Sequence, residues 1–243
     1  MRKVTLDAIR DHAIRVYPHE CCGLLVAVDG RERYIECTNA ATGTDHFILP
    51  GDEYADAESL GDIVAVVHSH PDAPCTPSEA DRVACEASGL PWFIVEVRRG
   101  DDEEVREAGS TWIEPAGFAA PLVGRSFAHG VLDCYTLVRD WYRHERQILL
   151  PDFKRCDGWW HEGADLYMKN YRAAGFRPIA EGDPLEVGDV ILMQIRAEVA
   201  NHAGVYIGNG LMLHHRYGRL SNREVYGGYW LENTRQILRY GDA

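Results

Sequence analysis

The sequence contains no apolar run approaching the roughly 20 residues that cross a bilayer as a helix, so no membrane-spanning segment is expected. It also lacks an excess of cations: 25 Lys and Arg stand against 38 Asp and Glu, giving a formal net charge of −13. Nucleic acids and anionic lipids are bound through basic patches, and this balance excludes both as general partners. The opening MRKVTLDAIRDHAIRVY carries charge throughout, without the apolar core of a secretory signal. Internal repeats and low-complexity stretches are absent. There is no CxxC pair among the seven cysteines, and an odd count with Cys21 and Cys22 adjacent supports neither a thiolate zinc site nor a disulfide framework. Synthesis in a reducing compartment, the cytoplasm, fits best.

What is present is an ordinary globular composition, 46% hydrophobic and 26% charged over 243 residues, enough for one large domain or two modest ones. Helical spacing of Leu6, Ile9, Ala13, Ile14 and Tyr17 predicts a first helix ending before Pro18. Strands are predicted over 23–28 and 33–37 around the Asp29-Gly30 turn, over 46–49, over 62–67 and over 92–98, with helices over 52–60 and from Ser78 to about Gly89. Residues 98–104 read as a charged, solvated turn. Helices alternating with strands indicate a mixed α/β layer domain over 1–113. Two prolines, a glycine and small residues between Glu114 and Pro121 mark a linker, taken as 114–122, before a second domain over 123–243. There a helix is predicted over 135–149, and strands over 190–195, 202–207 and 211–215.

The stretch from Val64 to Asp81, VAVVHSHPDAPCTPSEAD, limits the chemistry most sharply. Side chains alternate along a strand, so His68 and His70 point the same way where an apolar strand ends. Asp81 follows just inside a helix that opens at Ser78. Two imidazoles and a carboxylate suit a catalytic zinc with its fourth position open. Ser78-Glu79-Ala80-Asp81 is equally a capping box, which alone accounts for Ser78 and Asp81.

His68-Ser69-His70-Pro71, Ser78 and Asp81 together resemble the signature of the JAMM (Mov34/MPN/PAD-1) metallopeptidases, and Tyr17-Pro18-His19-Glu20-Cys21-Cys22-Gly23-Leu24 resembles the segment that supplies their glutamate. The resemblance implies Zn²⁺ held by His68, His70 and Asp81, Glu20 as general base toward the attacking water, and Ser78 as a stabiliser of the oxyanion. Sequence spacing alone does not choose Glu20 over Glu36 or Glu53.

In the C-terminal half, Asp133-Cys134 opens a helix, and a cysteine at a helix N-terminus is expected to have a lowered pKa. A free cysteine is also often a small buried hydrophobe. Asp133-Cys134, Gly188-Asp189, His202-Ala203-Gly204-Val205-Tyr206-Ile207-Gly208 and His214 resemble the NlpC/P60 peptidases, a papain-like α+β fold. This implies Cys134 as nucleophile, with its backbone N–H as an oxyanion donor, His202 as base and then acid, and His214 as the group orienting His202. His215 would face the other way on its strand. Two positions depart from the family: Tyr135-Thr136 stands where many relatives have Ser-Gly, and Phe127, without a hydroxyl, stands nearest to an upstream tyrosine.

The fusion of the two domains resembles the lambda tail protein K group of long-tailed bacteriophages. It implies a bifunctional peptidase of the virion tail tip whose partners are peptidoglycan stem peptides and other tail tip proteins, reaching the envelope with the phage instead of by secretion. A host enzyme acting on cytosolic muropeptides and a structural tail assembly component with partly unused sites are the alternatives.

Overall fold

A computed structural model describes residues 1–156, 158–180 and 182–241. They form two compact units, Met1–Ala119 and Ala120–Ala243. Both contain helices and strands, and the first has the mixed sheet expected from the alternating pattern.

The first unit runs α1 (Lys3–Val16), β1 (Cys22–Val28), β2 (Arg31–Cys37), α2 (Gly51–Leu60), β3 (Asp62–Pro71), α3 (Glu79–Ser88), β4 (Trp92–Arg99) and β5 (Val105–Ile113). The sheet order is β2-β1-β3-β4-β5, with β3 and β4 parallel and the other neighbours antiparallel. Asp29 and Gly30 both adopt positive φ, the conformation that a two-residue hairpin turn requires. Alternation then sorts the side chains. Leu25, Ala65, Val67, Phe93 and Val95 pack against Ile9 and Ala13 of α1, while Cys22, Leu24, Val26, Val66 and Trp92 pack against Ala57 of α2 and Cys85 of α3. His68 and His70 share the parity of Val66 and so belong to the α3 face.

Four local expectations change. Residues 46–49 are not a strand: both edges of β1 are already taken by β2 and β3, and the Ile48 N–H bonds to Asn39 Oδ1 instead. Strand β3 extends past Val67 through both histidines to Pro71. Strand β5 was hidden by its charges, since its alternation of half-buried and exposed residues is that of an edge strand. Part of the segment read as linker is tied back to this unit, because Glu86 Oε1 accepts from the N–H groups of Ala116 and Phe118.

The second unit begins with α4 (Cys134–Trp141), which continues as a π-helical turn over Tyr142–Arg146; a separate short 3₁₀ turn spans Trp159–Glu162. The rest comprises α5 (Leu166–Asn170), β6 (Phe176–Pro178), β7 (Val190–Met193), β8 (His202–Gly208), β9 (Leu211–His214), β10 (Asn222–Val225), α6 (Tyr229–Glu232) and β11 (Thr234–Tyr240). Its sheet order is β10-β9-β8-β7-β11-β6, with antiparallel pairing throughout. Leu137, Val138 and Trp141 of α4 lie on Val190, Leu192, Ala203, Val205 and Leu213 of the sheet. Ile191, Met193 and Met212 on the opposite face are covered by Trp230. The predicted helix over 135–149 is shorter than its apolar pattern suggested. It stops at Gln147, which takes a left-handed conformation and donates its N–H to Tyr142 O.

Candidate functional sites

In the first unit, the register Cys22↔His68 pairs β1 with β3, and Cys21 next to it receives Ser69 twice: its N–H donates to Ser69 Oγ (2.8 Å) and its carbonyl accepts from Ser69 N–H (3.2 Å). Glu20, one residue further out and of the same parity as Cys22, is thereby brought beside His70. His68 is fully buried, stacked on Phe47 and edge-on to Trp92, with ring centroids at 4.9 and 5.3 Å. The Nε2 atoms of His68 and His70 lie 3.1 Å apart. Asp81 comes to them because α3 packs on that face, its Oδ1 at 3.2 Å from His68 Nε2 and its Oδ2 at 3.4 Å from His70 Nε2.

The capping box is real as well. Ser78 N–H donates to Asp81 Oδ2 (2.7 Å) and Asp81 N–H donates to Ser78 Oγ (3.1 Å), so one carboxylate both starts the helix and faces the imidazoles. His70 Nδ1 lies 2.7 Å from the Pro74 carbonyl, which can only accept; this puts the proton on Nδ1 and leaves Nε2 as a lone-pair donor. Burial works to raise the Asp81 carboxyl, but the facing imidazoles of His68 and His70 and the hydrogen bond from Ser78 N–H hold it below its ordinary value. Burial pushes Glu20 up to about 8, partly opposed by His70. The ligand atoms of His68, His70 and Asp81 lie within 4.8 Å of one another. Two convergent imidazole nitrogens and an ionised carboxylate are the donor set of a borderline-soft divalent ion, so these residues fit zinc.

In the second unit, Asp133 caps α4. Its Oδ1 accepts from Thr136 N–H (2.8 Å) and Thr136 Oγ1 (3.1 Å), and its Oδ2 from Gly130 N–H (3.0 Å) and Arg155 Nε (2.8 Å). Cys134 is the first residue of the helix, and its thiol interacts with the backbone of Ala203 on β8. Gly204 allows the next strand this close: a Cβ there would lie 3.2 Å from His214 Cβ and from Leu213 O. His202 Nε2 and His214 Nδ1 are 3.0 Å apart. His215 turns away, its Nε2 bonding to Arg219 O at 3.1 Å with Phe127 edge-on to its ring. Tyr135 and Thr136, which depart from the family pattern, are used internally, Tyr135 O–H donating to Pro151 O at 2.7 Å.

One expectation is overturned. The helix N-terminus does not give a low-pKa thiol in this state: burial, with the Asp133 charge adding to it, pushes Cys134 up to about 11. Burial likewise brings His202 down to about 3 and His214 down to about 4, so cysteine and imidazoles rest neutral. Three contributors escaped the sequence reading. Tyr167 places its hydroxyl 3.2 Å from Cys134 Sγ. Arg155, almost wholly buried, holds the Asp133 cap. Glu224 places Oε2 3.6 Å from His214 Nε2, and is itself held by Trp230 Nε1 (2.9 Å), Asn222 Nδ2 (2.9 Å) and Arg216 Nη2 (3.1 Å). Trp230 also stands edge-on to His214, with centroids 4.6 Å apart. Tyr167, Arg155 and Glu224 lie 21 to 90 positions from Cys134, Tyr167 and Glu224 on elements too short to read from periodicity and Arg155 outside any helix or strand.

Comparison with known proteins agrees with the division into two sites. Residues 2–109 match the model of prokaryotic homologs of the JAB domain, and residues 124–239 match the NlpC/P60 family. The chain is 42% identical over its whole length to tail tip assembly protein K of Escherichia phage N15, covering 97% of that protein. It is 41% identical over 78% of its length to tail tip assembly protein K of Escherichia phage lambda, covering 87% of it. Over 52% of the chain it is 33% identical to a protein of Mycobacterium bovis named "Probable endopeptidase", covering 26% of that protein. The chain therefore belongs to the tail tip assembly protein K family of phages, with a JAB-type domain followed by an NlpC/P60 domain.

Proposed function

We propose that this protein is a bifunctional peptidase of the phage tail tip, with a thiol endopeptidase in its second unit that cuts peptidoglycan stem peptides and a zinc-dependent peptidase in its first. The observation that carries the reading is the His202–His214 pair at 3.0 Å on the strands packed against the N-terminus of the Cys134 helix. Carboxylate and imidazoles order the protons. Glu224 facing His214 Nε2 favours a proton there, so His214 Nδ1 accepts from His202 Nε2–H, and His202 Nδ1 keeps its lone pair for the thiol. His202 takes the Cys134 proton as sulfur attacks the amide carbon, then gives it to the leaving amine, and water hydrolyses the thioester. The Cys134 N–H, which has no intrahelical partner at the first turn of α4, serves as an oxyanion donor.

In the first unit His68, His70 and Asp81 would hold zinc, which supplies Lewis-acid polarisation of a carbonyl and acidification of water. Glu20, raised by burial to about 8, would be drawn toward its carboxylate form by the charge of a bound zinc, and in that form can receive a proton and return it to the leaving amine. Ser78 Oγ accepts from Asp81 N–H, which leaves its exposed hydroxyl hydrogen for a developing oxyanion. The substrate of this unit is a peptide or isopeptide amide. Partners in the tail tip follow from the family, and a wall hydrolase carried by the tail needs no export of its own.

The test is digestion of purified stem peptides, read by mass spectrometry, with the wild type and Cys134→Ala. Cleavage by the wild type alone supports the thiol endopeptidase. No cleavage by either favours an assembly role, the reading suggested by the relatives' names and by the neutral resting thiol.

A further inference from the structure

The Tyr167 hydroxyl is 3.2 Å from Cys134 Sγ, and its ring is locked in place, edge-on to Tyr135 and Trp159 with centroids at 6.1 and 5.9 Å. It lines a mostly apolar cavity with Phe153, Trp159 and Leu192, where the charged and amide side chains are Arg155, committed to the Asp133 cap, and Asn170, bonded to Leu166 O. Asp133 packs beside the same thiol and opposes its ionisation. A thiolate formed there meets the Ala203 backbone on one side, and Tyr167 is the side-chain hydroxyl that faces it.

We infer that Tyr167 is a catalytic residue of the thiol site, donating its O–H hydrogen bond to the Cys134 sulfur as that sulfur becomes a thiolate. A neutral thiol and a phenol gain little from each other, because S–H is a weak donor and a weak acceptor. A thiolate accepts strongly, so the contact favours the charged form over the neutral one. Tyr167 remains the donor throughout. Burial, the thiol charge and Asp133 hold its phenol well above the ordinary value, so the proton removed from sulfur goes to His202 and not to the phenolate. In acylation the S–C bond forms, the amide C–N bond breaks, the sulfur proton leaves with the amine through His202, and Tyr167 ends as it began. The inference rests on the thiol peptidase reading for its role in catalysis, but its contact with sulfur is measurable without any substrate.

The experiment is site-resolved alkylation of the full chain with iodoacetamide from neutral to mildly alkaline pH, with peptide mapping of Cys134 and of exposed Cys156 as an internal control. Tyr167→Phe keeps the ring and removes only the hydroxyl. Loss of a hydrogen bond to a charged group predicts that Cys134 alkylation slows about tenfold, its pH profile moving to higher pH, while Cys156 is unchanged. Stem-peptide cleavage is followed in parallel. If the wild type cleaves and Tyr167→Phe alkylates as fast or faster with the same profile, the inference is overturned and the peptidase reading stands. If the wild type does not cleave but Tyr167→Phe still slows Cys134 alkylation, the contact stands and the peptidase reading falls. A melting temperature matching the wild type, with Cys134→Ala alongside to confirm the mapped peptide, separates the effect from unfolding.

Discussion

The two sites solve opposite electrostatic problems. In the first unit burial is outweighed: Asp81 stays ionised because two imidazoles and a backbone N–H face it, and that negative charge is what a divalent cation requires. In the second unit burial wins, and Cys134, His202 and His214 all rest neutral. The first site is thus prepared for a ligand with charge, while the second develops its charge during reaction and depends on donors placed beforehand. The difference lies in what each buried group faces, since both sites sit where a helix N-terminus meets a strand.

The largest effects separate the halves completely. His68→Ala is expected to abolish stoichiometric zinc binding, measured by elemental analysis, while leaving stem-peptide cleavage intact. Cys134→Ala should do the reverse, since removal of a covalent nucleophile costs about 10³-fold or more in rate. One zinc per chain retained by His68→Ala would remove the metal site. A smaller effect is expected from Glu224→Gln, where a neutral amide no longer favours the His214 Nε2 proton; cleavage should fall about tenfold with zinc content unchanged. Unaltered cleavage would place Glu224 outside the relay.

Acid should also act on the second unit through its buried histidines. His202 and His214 are held below the ordinary 6.5, so between about 6.5 and 4 the unfolded chain binds more protons than the folded second unit. Stability of that unit is therefore full above about 6.5 and is lost as pH falls through this window. A melting temperature of the unit carrying Cys134, followed by hydrogen exchange, should decline there, and His202→Gln should flatten the decline. An unchanged slope in the variant would assign the loss to other groups. The smallest effect is local to the first unit. Ser78→Ala removes the hydroxyl that caps α3, at a cost of about 1 kcal/mol in denaturant unfolding.

Legibility in the sequence divided along the same line. His68, His70, Ser78 and Asp81 are close in the chain, and two periodicities, strand and helix cap, were enough to aim them at one another. Glu20 needed the family pattern, because its approach depends on the β1–β3 register. In the second unit Cys134, His202 and His214 were proposed from family spacing, whereas Tyr167, Arg155 and Glu224 were not singled out. Each reaches the site through long-range packing, Tyr167 and Glu224 from short elements and Arg155 from an irregular segment, and a single polar side chain in such a place carries no local signal. The raised thiol pKa was hidden for a related reason: the helix N-terminus and the adjacent Asp133 are visible in sequence, whereas burial, the larger cause, emerges only on folding. The strand expected over 46–49 failed because sequence gives propensity but not the occupancy of a sheet edge.

The account turns on two independent sites in one chain, and one digest tests that most directly: stem peptides incubated with the wild type, with Cys134→Ala and with chelator-treated wild type, read by mass spectrometry. The account predicts cleavage in the wild type, the same cleavage after chelation, and none in Cys134→Ala. Cleavage that survives in Cys134→Ala or disappears on chelation would contradict it.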